Sequence, residues 1–233
     1  MKTISLENIL KTRFDDKEIF TTEDFFTIMN DYPKPTVYSK INALLKKCLI
    51  QKIGWGKYQL GKSSLFSFDV SPKMQKVFST VAAKFPYINV CVWDLSFINN
   101  FSQHLINYNV LFVDVDRDSV ESVYWFLKES YEKVTTPKRM YDDLSEFKDF
   151  IVVRPLITMA PLKKGKSITL PSLEKCLVDL ASDKEFLPFQ GHEITNIFRT
   201  AFEEYTINEN RMLRYAGRKG KQEEIQNIIA LLS

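Results

Sequence analysis

The sequence predicts a two-domain protein of the α+β or α/β class. An N-terminal winged helix-turn-helix (residues 1–62) is followed by an α/β domain that ends in a helical region (residues 66–233). Near the N-terminus, an amphipathic helical pattern runs directly into two short strand-like segments. Strand-like and helix-like segments then alternate along the middle of the chain, and the last quarter has helical periodicity. A chain of 233 residues is long enough for two modest domains.

The N-terminal segment predicts two short helices and a small strand. The first helix is expected over Ser5–Lys11, and the strand over Glu18–Phe20. The second helix is expected over Thr21–Met29, because Thr21 or Thr22 suits the N-cap position and apolar residues follow.

A third helix is predicted over Thr36–Leu49. Pro33 and Pro35 mark the turn before it, since proline favours helix starts and disfavours a helical residue ahead of it. One face carries apolar residues at the helical period, namely Val37, Ile41, Leu44, Leu45, Cys48 and Leu49. The opposite face carries Ser39, Asn42, Ala43 and Lys46, with Thr36 and Lys40 at its edges. Because most of these side chains are short, the helix backbone can approach the floor of a DNA major groove.

A β-hairpin is predicted directly after this helix. Ile50–Ile53 is expected to pair with Lys57–Leu60, with Trp55 at the tip. Gly54 and Gly56 permit the positive φ angles that a tight turn requires.

The first domain also has an uneven charge distribution. No acidic residue occurs between Asp31 and Asp69, yet that interval contains seven lysines. Residues 1–65 contain 11 Lys and Arg against 7 Asp and Glu, whereas residues 66–233 contain 21 against 22. An anionic partner is therefore expected at the first domain.

DNA binding is the leading interpretation of this domain, because a helix followed by a lysine-bearing hairpin is the part of a winged helix that meets DNA. The helix would contact bases, and the hairpin would follow the backbone or the minor groove. The candidate DNA-binding residues are Thr36, Tyr38, Ser39, Lys40, Asn42, Lys46, Lys52, Trp55 and Lys57. The alternative is a solvated lysine surface or a winged helix that binds protein.

The second domain is predicted to contain a partly parallel sheet. Strands are expected at Ile88–Leu95, Val110–Asp116 and Phe150–Pro155, and helices at Val70–Lys84, around Ile98–Ile106 and at Val120–Glu129. Lys163–Ser167 is expected to be a polar loop, and a helix is expected to start at Leu170-Pro171-Ser172 with the proline in its first turn. Further helices are expected after Gly191, over Asn208–Ala216 and over Gln222–Leu232.

Three arginines near the C-terminus share one helical face. Arg211, Arg214 and Arg218 fall at i, i+3 and i+7. They form a candidate second surface for DNA phosphates or for a partner. The open alternative is that they pair with nearby acids such as Glu203 and Glu204.

Clustered carboxylates raise an enzymatic alternative, a metal-dependent nuclease or nucleotidyltransferase that uses Asp94, Asp114 and Asp116. Asp114 and Asp116 are expected on one face of a strand. However, the Glu-x-Lys pattern of nucleases, the Gly-Ser pair of nucleotidyltransferases and a phosphate-binding glycine-rich loop are missing from the sequence. Two histidines and three widely spaced cysteines argue against zinc. We therefore expect these acids to end a strand or to pair with arginines, and we predict no catalytic residue, no metal, no cofactor, and reduced cysteines in the core.

The sequence has no apolar run of transmembrane length and no secretory signal, so no membrane partner and a cytoplasmic location are expected.

Several segments resemble a known family. Residues 92–99 (VWDLSFIN), residues 168–184 (ITLPSLEKCLVDLASDK), the Phe189-Gln190-Gly191 triplet and residues 205–216 (YTINENRMLRYA) are similar to AbiEi-like proteins. These are antitoxins of bacterial type IV toxin-antitoxin and abortive-infection systems. That family also carries an N-terminal winged helix, so the resemblance spans nearly the whole chain.

The resemblance implies a transcriptional autorepressor whose winged helix binds inverted repeats in double-stranded DNA upstream of its own operon. It also implies a functional link to a nucleotidyltransferase-like toxin from a neighbouring gene. Members of the family are thought to oppose the toxin through the second domain, without a stable complex. An alternative is that the second domain docks the toxin as a protein-interaction module.

Overall fold

The computed structural model describes residues 6–15, 18–47, 49–61, 66–102, 110–139, 149–165 and 167–232. The chain mixes α-helices with small β-sheets, as the sequence predicts. It divides into two compact units, one formed by residues 1–66 with 201–210 and the other by residues 67–200 with 211–233. Residues 201–210 fall within the predicted second domain, whereas the structure groups them with the first unit.

Helices α1 (Leu6–Arg13), α2 (Thr22–Ile28) and α3 (Lys34–Lys46) belong to the first unit. Thr21 caps α2 in a reciprocal arrangement, in which its side chain accepts from the Asp24 backbone and the Asp24 carboxylate accepts from the Thr21 backbone. Proline residues open α3, as predicted, and no side chain caps it.

A three-stranded antiparallel sheet completes the first unit. It consists of β1 (Phe20–Thr21), β2 (Ile50–Gly54) and β3 (Lys57–Leu60), in the order β1-β3-β2. Helices and sheet enclose one apolar core, which contains Leu10, Phe20, Phe25, Met29, Val37, Ile41, Leu44, Ile50, Tyr58 and Leu60. Of the apolar face predicted for the third helix, α3 buries Val37, Ile41 and Leu44 and half-buries Leu45. The helix ends at Lys46 rather than at Leu49, which lies beyond it.

The turn between β2 and β3 uses its two glycines differently. Gly56 has φ +64°, and its carbonyl accepts a 2.9 Å hydrogen bond from the Thr22 backbone. Gly54 could also adopt a positive φ, but it lies in β2 and has no positive φ, so the turn uses this freedom only at Gly56.

The second unit contains a mixed four-stranded sheet. Its strands are β4 (Val90–Asp94), β5 (Leu111–Val115), β6 (Val134–Thr135) and β7 (Ile151–Pro155), in the order β4-β5-β7-β6. Only the β4–β5 pair is antiparallel, which confirms a partly parallel sheet. Helices α4 (Pro72–Lys84) and α5 (Val120–Lys128) supply apolar side chains to the same core as the sheet.

Two strands of a hairpin flank and partly include Lys163–Ser167, the segment predicted to be a polar loop. Strands β8 (Leu162–Lys164) and β9 (Thr169–Pro171) pair around that segment. Pro171 was expected in the first turn of the next helix, but it ends β9, and α6 (Leu173–Ser182) begins after Ser172. The segment after β4 is a 3₁₀ helix at Leu95–Asn100 rather than an α-helix at Ile98–Ile106, whose second half lies outside the described residues.

Three helices end the chain, α7 (His192–Glu204), α8 (Glu209–Arg218) and α9 (Gln222–Ala230). Cys48 and residue 62, where the first domain is predicted to end, lie outside the described residues. Among the helices of the described residues, none combines the length and the apolar character needed to cross a membrane.

Candidate functional site

The exposed face of α3 brings several predicted residues together. Tyr38, Ser39, Asn42 and Lys46 are exposed and, with Pro35 and Ala43, line a shallow open depression along the helix. The opposite face is buried through Val37, Ile41 and Leu44. This division follows directly from the 3.6-residue period of the sequence.

Two predicted residues lie at the edges of this face. Thr36 and Lys40 are half-buried, and the Lys40 ammonium lies 4.9 Å from the centre of the Tyr32 ring. Tyr38 makes an edge contact with Phe26, at 5.7 Å between ring centres. These contacts restrict Lys40 and Tyr38, whereas Ser39, Asn42 and Lys46 project from the exposed surface.

The β2–β3 hairpin carries the other predicted residues. The Trp55 side chain at its tip is 96% exposed, and Lys52 and Lys57 are exposed on the two strands. An indole with so little apolar contact contributes almost nothing to the core, so the fold does not account for a tryptophan at this position.

The side-chain amide of Asn210, which is distant in sequence, forms a hydrogen bond with the hairpin. The pairing of β2 with β3 is irregular between Lys52 and Gly54, and the Ile53 carbonyl there accepts a 2.6 Å hydrogen bond from Nδ2 of Asn210. This contact is not predictable from the sequence, because no local pattern around Ile53 or Asn210 indicates the other residue.

The lysines of this surface have no negative partner within the described part of the chain. No carboxylate there forms an ion pair with Lys46, Lys52 or Lys57. The positive charges of α3 and the hairpin are therefore not neutralised by those acids, and they face solvent.

The three carboxylates of the enzymatic alternative do not converge. Asp114 is buried and binds Trp93, Arg154 and Lys175 through its side chain. Asp116 lies just past the end of β5 and accepts hydrogen bonds from Asn89. Asp94 accepts from the Ser96 backbone at the start of the 3₁₀ helix. The clustered-carboxylate metal site is thus not formed by these residues.

Asp114 belongs instead to a buried ionic network, which we define as Asp114, Arg154, Lys175, Asp179, Asp183, Glu185 and Lys219. The Arg154 guanidinium binds both oxygens of Asp114 at 2.8 and 3.2 Å. Lys175 Nζ lies 2.6 Å from Asp114 and 2.7 Å from Asp179. Lys219 Nζ lies 2.7 Å from Asp179 and 2.6 Å from Asp183.

The electrostatics of the ionic network follow from burial and pairing. Burial alone would raise the pKa of Asp114, but Arg154 and Lys175 outweigh it and lower that pKa. The pKa of Asp179 is also lowered, because Lys175, Lys219 and Arg154 outweigh its burial. The pKa of Asp183 is raised to about 6, by burial and by the Asp179 charge.

Two signals in the sequence could have revealed this network. Arg154 stands between the apolar residues Ile151–Val153 and Pro155–Ile157, and Lys175 and Asp179 stand at i and i+4 within the apolar pattern of α6. A charged residue inside an apolar run is buried only when it is paired, so each of these implies a partner. The sequence does not say which partner it is.

The predicted arginine face is present on α8, where Arg211, Arg214 and Arg218 are exposed. Arg211 lies 4.0 Å from the Glu174 carboxylate, and Arg218 donates to the Met159 sulfur at 3.1 Å. The first of these contacts favours pairing with acids for Arg211, but with Glu174 rather than with Glu203 or Glu204.

We next consider metal-binding groups and reactive thiols among the described residues. They contain no group of three or more His, Cys, Asp or Glu residues arranged to hold a metal ion. Cys91 and Cys176 are free and buried, and burial raises the pKa of both thiols. Such thiols are poor nucleophiles.

Comparison with known proteins identifies a family, but the description of that family gives no activity. A family profile described as a family of unknown function (DUF6577) matches residues 36–233. No curated protein matches the chain. The family match makes no link to AbiEi-like antitoxins, so that resemblance stays a prediction.

Proposed function

The chain belongs to the DUF6577 family, whose function is unknown, and we propose that it is a transcriptional repressor that binds double-stranded DNA through α3 and the β2–β3 hairpin. The observation that carries the proposal is the exposed face of α3. It presents Ser39, Asn42 and Lys46 without any acidic residue. Asparagine pairs well with adenine edges, and lysine with guanine or phosphate.

The proposal treats the first unit as a winged helix. In support, the element order is α1-β1-α2-α3-β2-β3, and the β2–β3 hairpin of the three-stranded antiparallel sheet follows α3 directly. In this arrangement α3 enters the major groove and the hairpin is the wing. Lys52 and Lys57 then neutralise backbone phosphates beside the groove.

Trp55 gives the wing a second mode of contact. An exposed indole at a hairpin tip can stack on a sugar or wedge at the edge of the minor groove. Contact with DNA would account for the Trp55 side chain, which does not pack in the core.

The biological context of the proposal rests on the resemblance to AbiEi-like antitoxins. In that context the operator is an inverted repeat upstream of the protein's own operon, and the second unit opposes a nucleotidyltransferase-like toxin. The unpaired lysines support DNA binding alone, so the two parts of the proposal need separate experiments.

DNA binding is tested by fluorescence anisotropy of the full chain against its own upstream DNA, with scrambled DNA of equal length as control, at several salt concentrations. We expect tight binding to the native sequence alone, with affinity that falls steeply as salt rises. Equal and weak binding to both DNAs would refute sequence-specific repression.

The antitoxin role is tested by co-expression with the neighbouring gene, scored by growth. We expect the full chain to rescue growth and the two proteins not to co-purify. Stable co-purification would instead favour the alternative in which the second unit docks the toxin. Failure of the full chain to rescue growth from the neighbouring gene's product would remove the antitoxin role and leave the DNA result intact.

A further inference from the structure

The turn that carries Trp55 is held from both sides by hydrogen bonds to other segments of the chain. On one side, the Gly56 carbonyl accepts a 2.9 Å hydrogen bond from the Thr22 backbone at the start of α2. On the other side, the Ile53 carbonyl accepts a 2.6 Å hydrogen bond from Nδ2 of Asn210. Two fixed points on either side of a short turn restrict the direction in which its tip projects.

Ile53 lies at a break in the regular pairing of the hairpin. Lys52 and Gly54 oppose two consecutive residues of β3, so Ile53 is the extra residue of a β-bulge. A bulge bends its strand and leaves the extra residue outside the regular ladder of hydrogen bonds. The Asn210 amide therefore binds a carbonyl at the position where the ladder is interrupted and where the strand bends before the tip.

Asn210 belongs to a segment that is distant in sequence from the hairpin but part of the same compact unit. Residues 201–210 group with residues 1–66, and the Tyr205 ring makes an edge contact with Phe66 at 5.4 Å between ring centres. Asn210 itself lies in the first turn of α8, where the helical backbone restricts its position. The amide thus reaches the hairpin from a helix rather than from a loop.

The hydrogen bond from Asn210 acts on the orientation of the hairpin more than on the core. Asn210 and Trp55 are both exposed, and neither is among the buried residues of the first unit's core. An exposed hydrogen bond adds little to the stability of a fold. Its main effect is local, on the strand that carries Lys52 and on the tip that follows it.

We propose that Asn210 is a positioning residue for DNA binding, which holds the β2–β3 hairpin in the orientation that presents Lys52, Trp55 and Lys57 to the duplex. The inference rests on the proposed DNA binding and adds that residues 201–210 complete the DNA-binding unit. Asn210 acts through the hairpin and not by touching DNA. A hairpin already held in its binding orientation loses less freedom when the complex forms, so affinity is higher.

Asn210→Leu tests the inference in the full chain, because leucine has nearly the size of asparagine but cannot donate to the Ile53 carbonyl. We expect faster hydrogen exchange of the hairpin amides, and about fivefold weaker binding of the upstream DNA in fluorescence anisotropy. Asn210→Gln keeps the donor and should recover part of the affinity. Asn227→Leu is the control, an exposed asparagine of α9 whose loss should change neither hydrogen exchange of the hairpin nor affinity.

A double-mutant cycle with Trp55 separates positioning from a general structural effect. If Asn210 acts by placing the hairpin tip, Asn210→Leu should weaken DNA binding less in a Trp55→Ala background than in the wild type, by about twofold rather than about fivefold. The reason is that the indole contact that Asn210 helps to place is already lost. Equal losses in the two backgrounds would overturn the inference, since Asn210 would then act independently of the tip.

Failure of this inference is distinguishable from failure of the proposed function. If the wild-type chain binds its upstream DNA and Asn210→Leu binds it equally well, only the positioning role is refuted. If the wild-type chain binds no DNA, the proposed function fails and the positioning role fails with it, whatever hydrogen exchange shows for the hairpin. Circular dichroism checks that each variant folds, and Asn210→Ala decides the outcome if Asn210→Leu does not fold.

Discussion

The Nζ atom of Lys175 lies 2.6 Å from Oδ2 of Asp114, and both side chains are 1% exposed. The pair joins α6 to the central strand β5 across 61 positions of sequence. Arg154 closes the other side of Asp114, so the carboxylate has two cationic partners and the Trp93 indole around it. These interactions of Asp114 therefore stabilise the second unit.

Asp114→Ala should destabilise the second unit strongly. The substitution leaves Arg154 and Lys175 buried with less countercharge, which typically costs about 3–5 kcal/mol of unfolding free energy. Asp116→Ala is the matched control, because that more exposed acid only accepts hydrogen bonds from Asn89, and we expect a loss of about 1 kcal/mol. Urea unfolding measures both. Equal losses would contradict a structural role for Asp114.

Local periodicity explains which parts of this fold were predictable. The buried stripe of α3 and the hairpin after it depend on residues close in sequence. Val37, Ile41 and Leu44 are buried and the hairpin pairs as predicted, although α3 ends at Lys46 rather than at Leu49. The burial and pairing of Asp114 depend on Arg154 and Lys175, which are 40 and 61 residues away in the sequence. A local sequence pattern does not identify partners at that distance. Pro171 suited a helix start by propensity, but pairing of β9 with β8 decided its conformation.

The acids of the ionic network should make opposite contributions to the pH dependence of stability, because the pKa of Asp183 is raised and those of Asp114 and Asp179 are lowered. The pKa of Asp183 is about 6 when folded against an ordinary 3.8, so the folded state binds that proton more tightly. Stability therefore falls as pH rises from about 4 to about 6, and the full cost remains above pH 6. Asp114 and Asp179 have lowered pKa values, so their contribution is present above pH 3.8 and is lost in stronger acid.

Asp183→Asn removes the first of these effects. We expect the difference in unfolding free energy, variant minus wild type, to rise by roughly 2–3 kcal/mol between pH 4 and pH 7. Chemical denaturation at intervals of pH measures the difference. A flat difference would mean that Asp183 ionises normally in the folded protein.

Gly56→Ala should weaken the hairpin, because φ +64° is costly for any residue with a Cβ atom. That atom would also lie 3.1 Å from Oγ1 of Thr22. We expect a loss of about 1–2 kcal/mol. Gly54→Ala is the control, since its Cβ would meet Lys57 at an ordinary 3.7 Å and its φ is not positive. Hydrogen exchange of the hairpin amides reports both, and equal protection in the two variants would contradict this account of the turn.

Lys46→Ala should weaken DNA binding and reduce its salt dependence. One lost phosphate contact lowers the slope of log affinity against log salt by about one. Lys40→Ala should have a smaller effect, because the Lys40 ammonium is partly engaged over Tyr32. The control is Lys76→Ala, an exposed lysine of α4 in the second unit. Anisotropy titrations in which Lys46→Ala and Lys76→Ala behave alike would remove α3 from the interface.

Trp55→Ala should separate function from stability. The side chain is 96% exposed, so we expect the unfolding free energy to change by less than about 0.5 kcal/mol. If the hairpin contacts DNA, the same substitution should lower affinity about tenfold, the loss of one stacking or wedging contact. Trp55→Phe should recover part of that affinity, because it restores an aromatic face at the hairpin tip. Unchanged affinity in Trp55→Ala with normal stability would place the DNA elsewhere, while a large loss of stability would show that the indole supports the fold after all.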